Sequence, residues 1–152
     1  MKHSFLFLFL FSFSLSAVCQ TDNPNFDKLL SDSLGGDDYG MKSYILAILK
    51  TGPTKIEDKK VSDSLFAGHM NNIKVLASAG KLVVAGPLGK NDRSYRGIFI
   101  LNVKTIEEAA VLLESDPTIK EKVLEAELFK WYGSAALPTY LPNHTKIERK
   151  KM

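Results

Sequence analysis

One histidine, His69, stands in a stretch that otherwise has the pattern of the apolar face of a helix. The apolar residues that recur around it at helical spacing are Leu65, Phe66, Met70, Ile73, Leu76 and Ala77. Because His69 falls inside this stripe, its imidazole is predicted to face the core. A partly buried imidazole can take a proton near neutral pH and return it elsewhere on a substrate, which favours acid–base chemistry. The alternative is a hydrogen-bonded core histidine.

The loop that follows the Gly86-Pro87 corner is rich in hydrogen-bond donors. Arg93, Ser94 and Arg96 lie on or beside this loop and could bind an anionic or phenolate group. The candidate substrate-binding residues in this part of the chain are Gly86, Pro87, Ser94 and Arg96. The alternative is that these arginines are simply solvated, as is common for arginines in loops.

Asp116 and two aromatic residues have both structural and functional interpretations. A residue before proline leaves the helical region, so Asp116-Pro117 is predicted to end one helix and to start another turn with Asp116 as its N-cap. Trp131 and Tyr132, at the end of the last predicted strand, could form the wall of a pocket, with Trp131 as a further substrate-binding candidate. For both aromatic residues the alternative is core packing or a dimer contact.

The composition excludes several kinds of site. Cys19 is the only cysteine and ends the predicted leader, so the mature chain has no disulfide, thiol nucleophile or cysteine-based metal site. His3 leaves with the leader and His144 lies in a polar tail, so His69 has no partner at metal-ligand spacing. We predict neither a metal nor a cofactor. Haem is the distant alternative, because a lone histidine can ligate iron.

The charge distribution does not favour a nucleic-acid partner. The formal net charge is +3, and much of the excess lies in the run of residues 146–151, which has the pattern of a solvated chain end. The sequence contains no basic stripe with interleaved aromatic residues. The predicted partner is therefore a small molecule.

The first residues have the pattern of a secretory signal peptide. A positive start is followed by an apolar run, residues 5–15, that is too short to span a bilayer. Ala17 and Cys19 stand at the minus three and minus one positions for cleavage before Gln20. We predict a signal peptide over residues 1–19, no membrane span, and export to the periplasm or the extracellular space. A lipid-anchored Cys19 is the alternative, although residues 16–19 lack the Leu-Ala-Gly pattern of a lipoprotein box.

The pattern of residues 42–137 predicts one domain with an α+β fold. Strands are predicted at residues 43–50, 82–85, 96–103 and 124–132. One helix is predicted from an N-cap at Ser62 or Ser64 to Gly80, and a second from the capping box Thr105–Glu108 to about Ser115. The order βαββαβ is that of a ferredoxin-like antiparallel sheet with two helices on one face. Residues 20–41 are predicted to be an N-terminal spacer, and residues 138–152 a polar, basic tail.

The second face of this sheet is predicted to be covered by another copy of the chain. The strands are apolar on both faces, whereas the helices cover only one face. A bare face would expose an apolar patch larger than monomers normally carry. We therefore predict a homodimer stacked sheet to sheet.

The order of several short motifs resembles that of the YCII-related (YciI-like) proteins over Tyr39 to Leu137. These motifs are His69 in the first helix, Gly80 to Pro87, Arg96-Gly97-Ile98, Glu107-Glu108-Ala109 and Asp116-Pro117. The residues from Trp131 to Leu137 look like an ending seen in exported members. The leader, the spacer and the tail depart from the short cytoplasmic type.

The resemblance implies a ferredoxin-like dimer related to the dimeric α/β barrels, with a catalytic histidine and aspartate that map onto His69 and Asp116. The family has one clear enzymatic use, dehydrochlorination of a chlorinated hydroxyhydroquinone, and many members without an assigned reaction. The first function class is thus an exported, cofactor-independent enzyme that eliminates or isomerises a small cyclic or aromatic compound, with His69 as base. The second is a non-catalytic dimeric module that binds a small molecule or a protein. A pocket open to His69 would favour the first class, and a sealed imidazole the second.

Overall fold

The computed structural model describes residues 23–149. The predicted signal peptide, Cys19 and the last three residues lie outside the described residues. The elements, in chain order, are α1 (Lys28–Leu34), β1 (Met41–Thr51), α2 (Lys59–Ser78), β2 (Leu82–Pro87), β3 (Tyr95–Leu101), α3 (Ile106–Leu113), α4 (Pro117–Lys120), β4 (Leu124–Ser134), a 3-10 helix (Leu137–Tyr140) and α5 (Leu141–Ile147). None of the helices within this range is long and apolar enough to cross a membrane.

The four strands form one sheet in the order β2-β3-β1-β4, with every neighbouring pair antiparallel. This is the ferredoxin-like order, so the predicted α+β fold is confirmed. Strand β2 continues through Gly86-Pro87, which the sequence analysis took as the end of the strand. Its last residue is proline, which is tolerated because β2 lies at the edge of the sheet.

The alternation of side chains divides the sheet into two apolar faces. Ile45, Ala47 and Leu49 of β1 pack with the helices, on what we call the helix face. The intervening residues belong to what we call the outer face, where Tyr44, Val83 and Ile100 form a second buried cluster. The side chains packed against this cluster are Leu46, Val84, Trp131 and Leu137.

The helix ends show where local sequence rules succeed and where they fail. The N-cap of α2 is Asp58, whose carboxylate accepts from the Lys60 N–H at 2.7 Å, so the prediction of Ser62 or Ser64 was wrong. An aspartate is as good an N-cap as serine, and the charged connection before Ser62 hid it. Gly80 adopts the predicted left-handed conformation after the helix, with φ +67°. At α3, Thr105 Oγ1 accepts from the Glu108 N–H at 3.1 Å, as predicted.

Both regions outside the predicted domain contain described structure. Helix α1 lies within the predicted spacer and begins at an Asp27 N-cap. The predicted tail contains most of the 3-10 helix and all of α5, and each of these begins with a proline in its first turn. Leu137, which leads into this tail, packs against the outer-face cluster. The chain after β4 is therefore tied to the sheet.

Candidate active site

The structure brings His69 and Asp116 together, although they lie 47 residues apart in sequence. His69 Nδ1 is 2.6 Å from Asp116 Oδ2. Asp116 is fully buried, and His69 is 9% exposed. Helix α2 carries the histidine and the start of α4 carries the aspartate, so the pair depends on how these two helices pack.

Asp116 is held by the first turn of α4. Its Oδ1 accepts from the Thr118 N–H at 2.9 Å and from the Thr118 hydroxyl at 2.7 Å, while Oδ2 faces His69. Pro117 starts the helix, since its missing N–H is not needed there. The N-cap role that the sequence predicted and the contact with His69 thus use different oxygens of one carboxylate.

The hydrogen bonds keep Asp116 ionised in spite of its burial. Burial raises the pKa of Asp116, but the hydrogen bonds from His69 and Thr118 and the favourable electrostatic interaction with His69 lower it more, so the net pKa lies below its ordinary value. An ionised carboxylate can only accept hydrogen bonds. Nδ1 of His69 therefore carries the proton and donates, which leaves Nε2 as the basic nitrogen. Within residues 23–149, Nε2 makes no hydrogen bond.

A glycine next to the histidine permits the close approach of the two helices. A Cβ atom at Gly68 would lie 2.6 Å from Cγ of Pro117, closer than such atoms approach in real structures. The absence of a side chain at this position lets the Pro117 ring pack directly on α2. Gly68 thus helps to set the distance between His69 and Asp116, a role that the sequence analysis did not identify.

The imidazole ring is also fixed by aromatic contacts. Phe99 of β3 stacks on it with ring centroids 5.8 Å apart and an interplanar angle of 19°. Phe66, one turn earlier in α2, meets it edge-on at 6.2 Å and 77°. Together with the bond to Asp116, these contacts hold one orientation of the ring.

His69 lies on the wall of a cavity of about 570 Å³ on the helix face. This volume is within the range of small-molecule sites, which run from about 300 to 1,000 Å³. Among residues 23–149, the lining residues that can carry or donate a proton are His69, Arg96, Tyr140 and His144, and none of the lining residues is acidic. The other lining side chains are apolar, and they come mainly from α2, β2 and β3.

The sequence-predicted binding residues divide into two groups. Gly86, Pro87 and Arg96 line the cavity, whereas Ser94 and Trp131 do not. Ser94 is an exposed loop residue with a left-handed φ of +57°, and its carbonyl accepts from the Thr51 N–H at 3.0 Å. The structure thus gives Ser94 a backbone role at the junction of two strands.

Trp131 lies on the outer face of the sheet because it pairs with Tyr44 in the register of β1 and β4. The two rings have centroids 5.7 Å apart. The indole also covers Gly133, where a Cβ would clash with the ring. Trp131 is therefore a packing residue on the face opposite the cavity, and its neighbour Tyr132 donates a hydrogen bond to Asp37.

The C-terminal segment contributes lining residues that the sequence analysis missed. Tyr140, Leu141 and His144 all border the cavity. The Tyr140 hydroxyl donates to the carbonyl of Val83 in β2, and burial raises the pKa of this tyrosine. The available signal was the pair of prolines at 138 and 142, which are typical of helix starts.

A second groove, of about 440 Å³, runs beside α3 and is separate from the histidine and aspartate pair. Its polar residues are Lys81, Glu107 and Glu108. Glu108 Oε2 already accepts a hydrogen bond from the Lys104 N–H at 2.9 Å, so this side chain caps the start of α3. Among residues 23–149, no cluster of three or more histidine, cysteine or acidic side chains is placed to hold a metal ion.

No protein-family model matches the chain, and no curated protein matches it. Among solved structures, the chain is similar to the 5-chloro-2-hydroxyhydroquinone dehydrochlorinase of Burkholderia phenoliruptrix AC1100 in complex with 2,5-dihydroxybenzoquinone. The match has 20% identity and a TM-score of 0.40, and it covers 57% of this chain and 92% of that chain. At this identity, no residue role is carried from that enzyme to this chain.

Proposed function

We propose that the chain is an acid–base enzyme of the YCII-related kind that eliminates or isomerises a small cyclic or aromatic compound. The observation that carries this proposal is the 2.6 Å contact between His69 Nδ1 and Asp116 Oδ2 on the wall of a cavity of about 570 Å³. His69 is the general base through Nε2. Asp116 orients the ring and stabilises the imidazolium that forms, as carboxylates do in other histidine-based sites.

The proposed reaction begins when Nε2 removes a carbon-bound proton from the ligand. In an elimination, the electron pair of that bond forms a new double bond, and the leaving group departs from the neighbouring carbon with its bonding pair. The products are the unsaturated compound, the leaving anion and protonated His69, which then returns its proton to solvent. In an isomerisation, the proton returns to a different carbon and no group leaves.

The composition of the wall supports a ring-shaped ligand. Phe66 and Phe99 offer apolar surface beside the imidazole, and Arg96 offers a cation on the same cavity. Removal of a proton from the carbon next to a carbonyl gives an enolate, and loss of the hydroxyl proton of a phenol gives a phenolate. Both carry negative charge on oxygen, which a guanidinium stabilises. Arg96, Gly86 and Pro87 are the proposed ligand-binding residues.

Proton abstraction can be measured directly by hydrogen–deuterium exchange. The protein would be incubated in D₂O with a panel of small cyclic ketones and hydroxylated aromatic compounds, and loss of carbon-bound proton signals would be followed by NMR. For an active compound, His69→Gln should slow the exchange by about 10²-fold or more. Asp116→Asn should also slow it, because an asparagine NH₂ turned toward Nδ1 favours the tautomer with its proton on Nε2. Asn71→Gln, an exposed change on the same helix, is the control.

The same panel separates catalysis from binding. A compound present at a hundred times its dissociation constant should stabilise the protein by about 2.7 kcal/mol in a thermal-shift measurement. Stabilisation without exchange, unchanged by His69→Gln, would support the non-catalytic binding module instead. Neither stabilisation nor exchange with any compound would count against both functions.

We also propose that the protein forms a homodimer through the outer face. Leu46 and Ile98 are partly exposed there, and Phe129 is 46% exposed, so this face keeps apolar surface that the helices cannot cover. Ile100, rather than Phe99, points to this face.

Finally, we propose that residues 1–19 direct export. N-terminal sequencing of the secreted protein should begin at Gln20. A start at Met1 would contradict the signal peptide, and a lipid-modified Cys19 would favour the anchored form.

A further inference from the structure

The C-terminal segment Leu137–Ile147, which we call the strap, joins the two faces of the sheet. Leu137 packs on the outer-face cluster, and the Tyr140 hydroxyl then bonds the carbonyl of Val83 in the edge strand β2. Leu141 and His144 follow and border the cavity on the helix face. The strap therefore passes around the β2 edge and closes one side of the cavity.

The strap is fixed by local structure as well as by its contacts. The 3-10 helix and α5 each have a proline in the first turn, which sets the backbone for a helix start. Thr139 Oγ1 donates to the Ala136 carbonyl at 2.7 Å, and Ala135, just before the strap, is buried. These contacts give α5 a defined place beside the cavity.

His144 and His69 lie at different depths on the same cavity. His69 is 9% exposed and bonded to a buried carboxylate, whereas His144 is an exposed residue of α5. An exposed residue that also borders the cavity stands at its mouth. Arg96, the cation on the same wall, is exposed as well. The mouth thus offers hydrogen-bond donors and positive charge, while none of the described lining residues is acidic.

We propose that His144 is a specificity-determining residue that contacts an anionic group of the ligand at the mouth of the cavity. The ligand class is a small ring compound with a carboxylate, sulfonate or phenolate group away from the carbon that reacts at His69. The ring fills the apolar interior, and the anionic group accepts hydrogen bonds from His144 and Arg96. This inference deepens the proposed function and rests on it only in treating the cavity as the reaction site.

Two fluorescent probes that differ by one anionic group test this proposal. 8-Anilinonaphthalene-1-sulfonate carries a sulfonate, and N-phenyl-1-naphthylamine is its neutral counterpart. Each probe is titrated into the full-length mature protein and into its His144→Gln variant. The substitution should weaken binding of the sulfonate about five- to tenfold and leave binding of the neutral probe unchanged. His144 is exposed, so the substitution leaves the fold intact, which circular dichroism would check.

Lys146→Gln is the matched control, because it removes a positive charge from the same helix at an exposed position that does not line the cavity. It should leave the affinity for both probes unchanged. Equal weakening of both probes by His144→Gln would overturn the proposed anionic contact, and so would no change in either. An equal loss of sulfonate binding in Lys146→Gln would overturn it too, because general electrostatics would then explain the effect.

The probe titration and the exchange experiment can fail independently. The probe titration needs no proton transfer, so His69→Gln can abolish exchange while His144→Gln still weakens binding of the sulfonate probe alone. Conversely, a failed probe test removes the role of His144 and leaves the exchange experiment with His69 unaffected.

Discussion

The two faces of the sheet are both apolar, yet among residues 23–149 only the helix face contains a buried titratable pair. On the helix face, His69 and Asp116 are enclosed between α2, α4 and Phe99. On the outer face, the charged group that bonds across strands is Lys50, whose Nζ lies 3.0 Å from Glu127 and 3.5 Å from Glu125. All three of these side chains are at least 32% exposed.

The difference lies in enclosure rather than in the presence of charge. The exposed ion pairs on the outer face are screened by water and contribute little. The carboxylate of Asp116 is fully buried, and each of its hydrogen bonds acts in a medium of low polarity. The helix face thus holds the enclosed pair that we propose is catalytic, and the outer face holds exposed charges beside the apolar surface of the proposed dimer.

The largest expected effect concerns the outer face. Phe129→Asp places a charge on the apolar surface that the proposed dimer buries, so it should weaken dimerisation by orders of magnitude. Because Phe129 is 46% exposed, the substitution should leave the protein folded. Sedimentation or light scattering at micromolar concentration measures this. Val111→Asp, at a 66% exposed position on α3, is the control and should leave the dimer intact. If the wild-type protein is monomeric at this concentration, the proposed dimer through the outer face is wrong.

Breaking the buried pair should have the next largest effect. Asp116→Ala leaves the His69 and Thr118 donors buried without an acceptor, so it should lower the free energy of unfolding by about 3 kcal/mol or more. Chemical denaturation measures the change. Asp116→Asn keeps the shape and one acceptor and should cost less. If the alanine variant lost no more stability than a typical surface change, the pair would not be the buried network described above.

A smaller effect is expected from the glycine beside the histidine. Gly68→Ala forces Pro117 away from a Cβ that would lie 2.6 Å from it, and such overpacking costs about 1–3 kcal/mol. The better helix propensity of alanine offsets up to about 1 kcal/mol of this. Because the movement also separates Asp116 from His69, NMR should show a changed signal for the imidazole Nδ1–H. An unchanged signal would mean that Gly68 does not set the spacing of the pair.

The smallest effect is the contribution of Asp116 to acid sensitivity. Its pKa in the folded protein lies below the ordinary value of 3.8, so the stability it contributes is present above that value and is lost as the pH falls through the lowered pKa. The unfolding free energy of the wild type should therefore fall more steeply below pH 3.8 than that of Asp116→Asn. Asp37, whose pKa is lowered by its bond from Tyr132, acts in the same direction, so Asp37→Asn is the parallel variant. Equal slopes in wild type and Asp116→Asn would contradict the lowered pKa.

Much of the fold was predictable because its signals are local. The apolar run of β1, the capping box at Thr105 and the left-handed glycine at position 80 each depend on a few neighbouring residues. The errors also had local causes, since Asp58 competed with two serines as the cap of α2. Candidate site residues were harder to assign. Trp131 and Arg96 were both candidate binding residues in the sequence. The sheet register places Trp131 on the outer face, whereas Arg96 lines the cavity.

The sequence by itself determined the order of strands and helices, the apolar stripe that contains His69 and the N-cap character of Asp116, because each follows from spacing and residue type within one segment. The tertiary structure decided the contact between His69 and Asp116, which the family resemblance had already named as a pair, since the contact requires α4 to approach α2 at Gly68. It also decided the position of His144, because the strap reaches the cavity only by passing around the edge of a folded sheet. Spacing along the chain determines which face of an element a side chain occupies, whereas the packing of elements determines what that face meets.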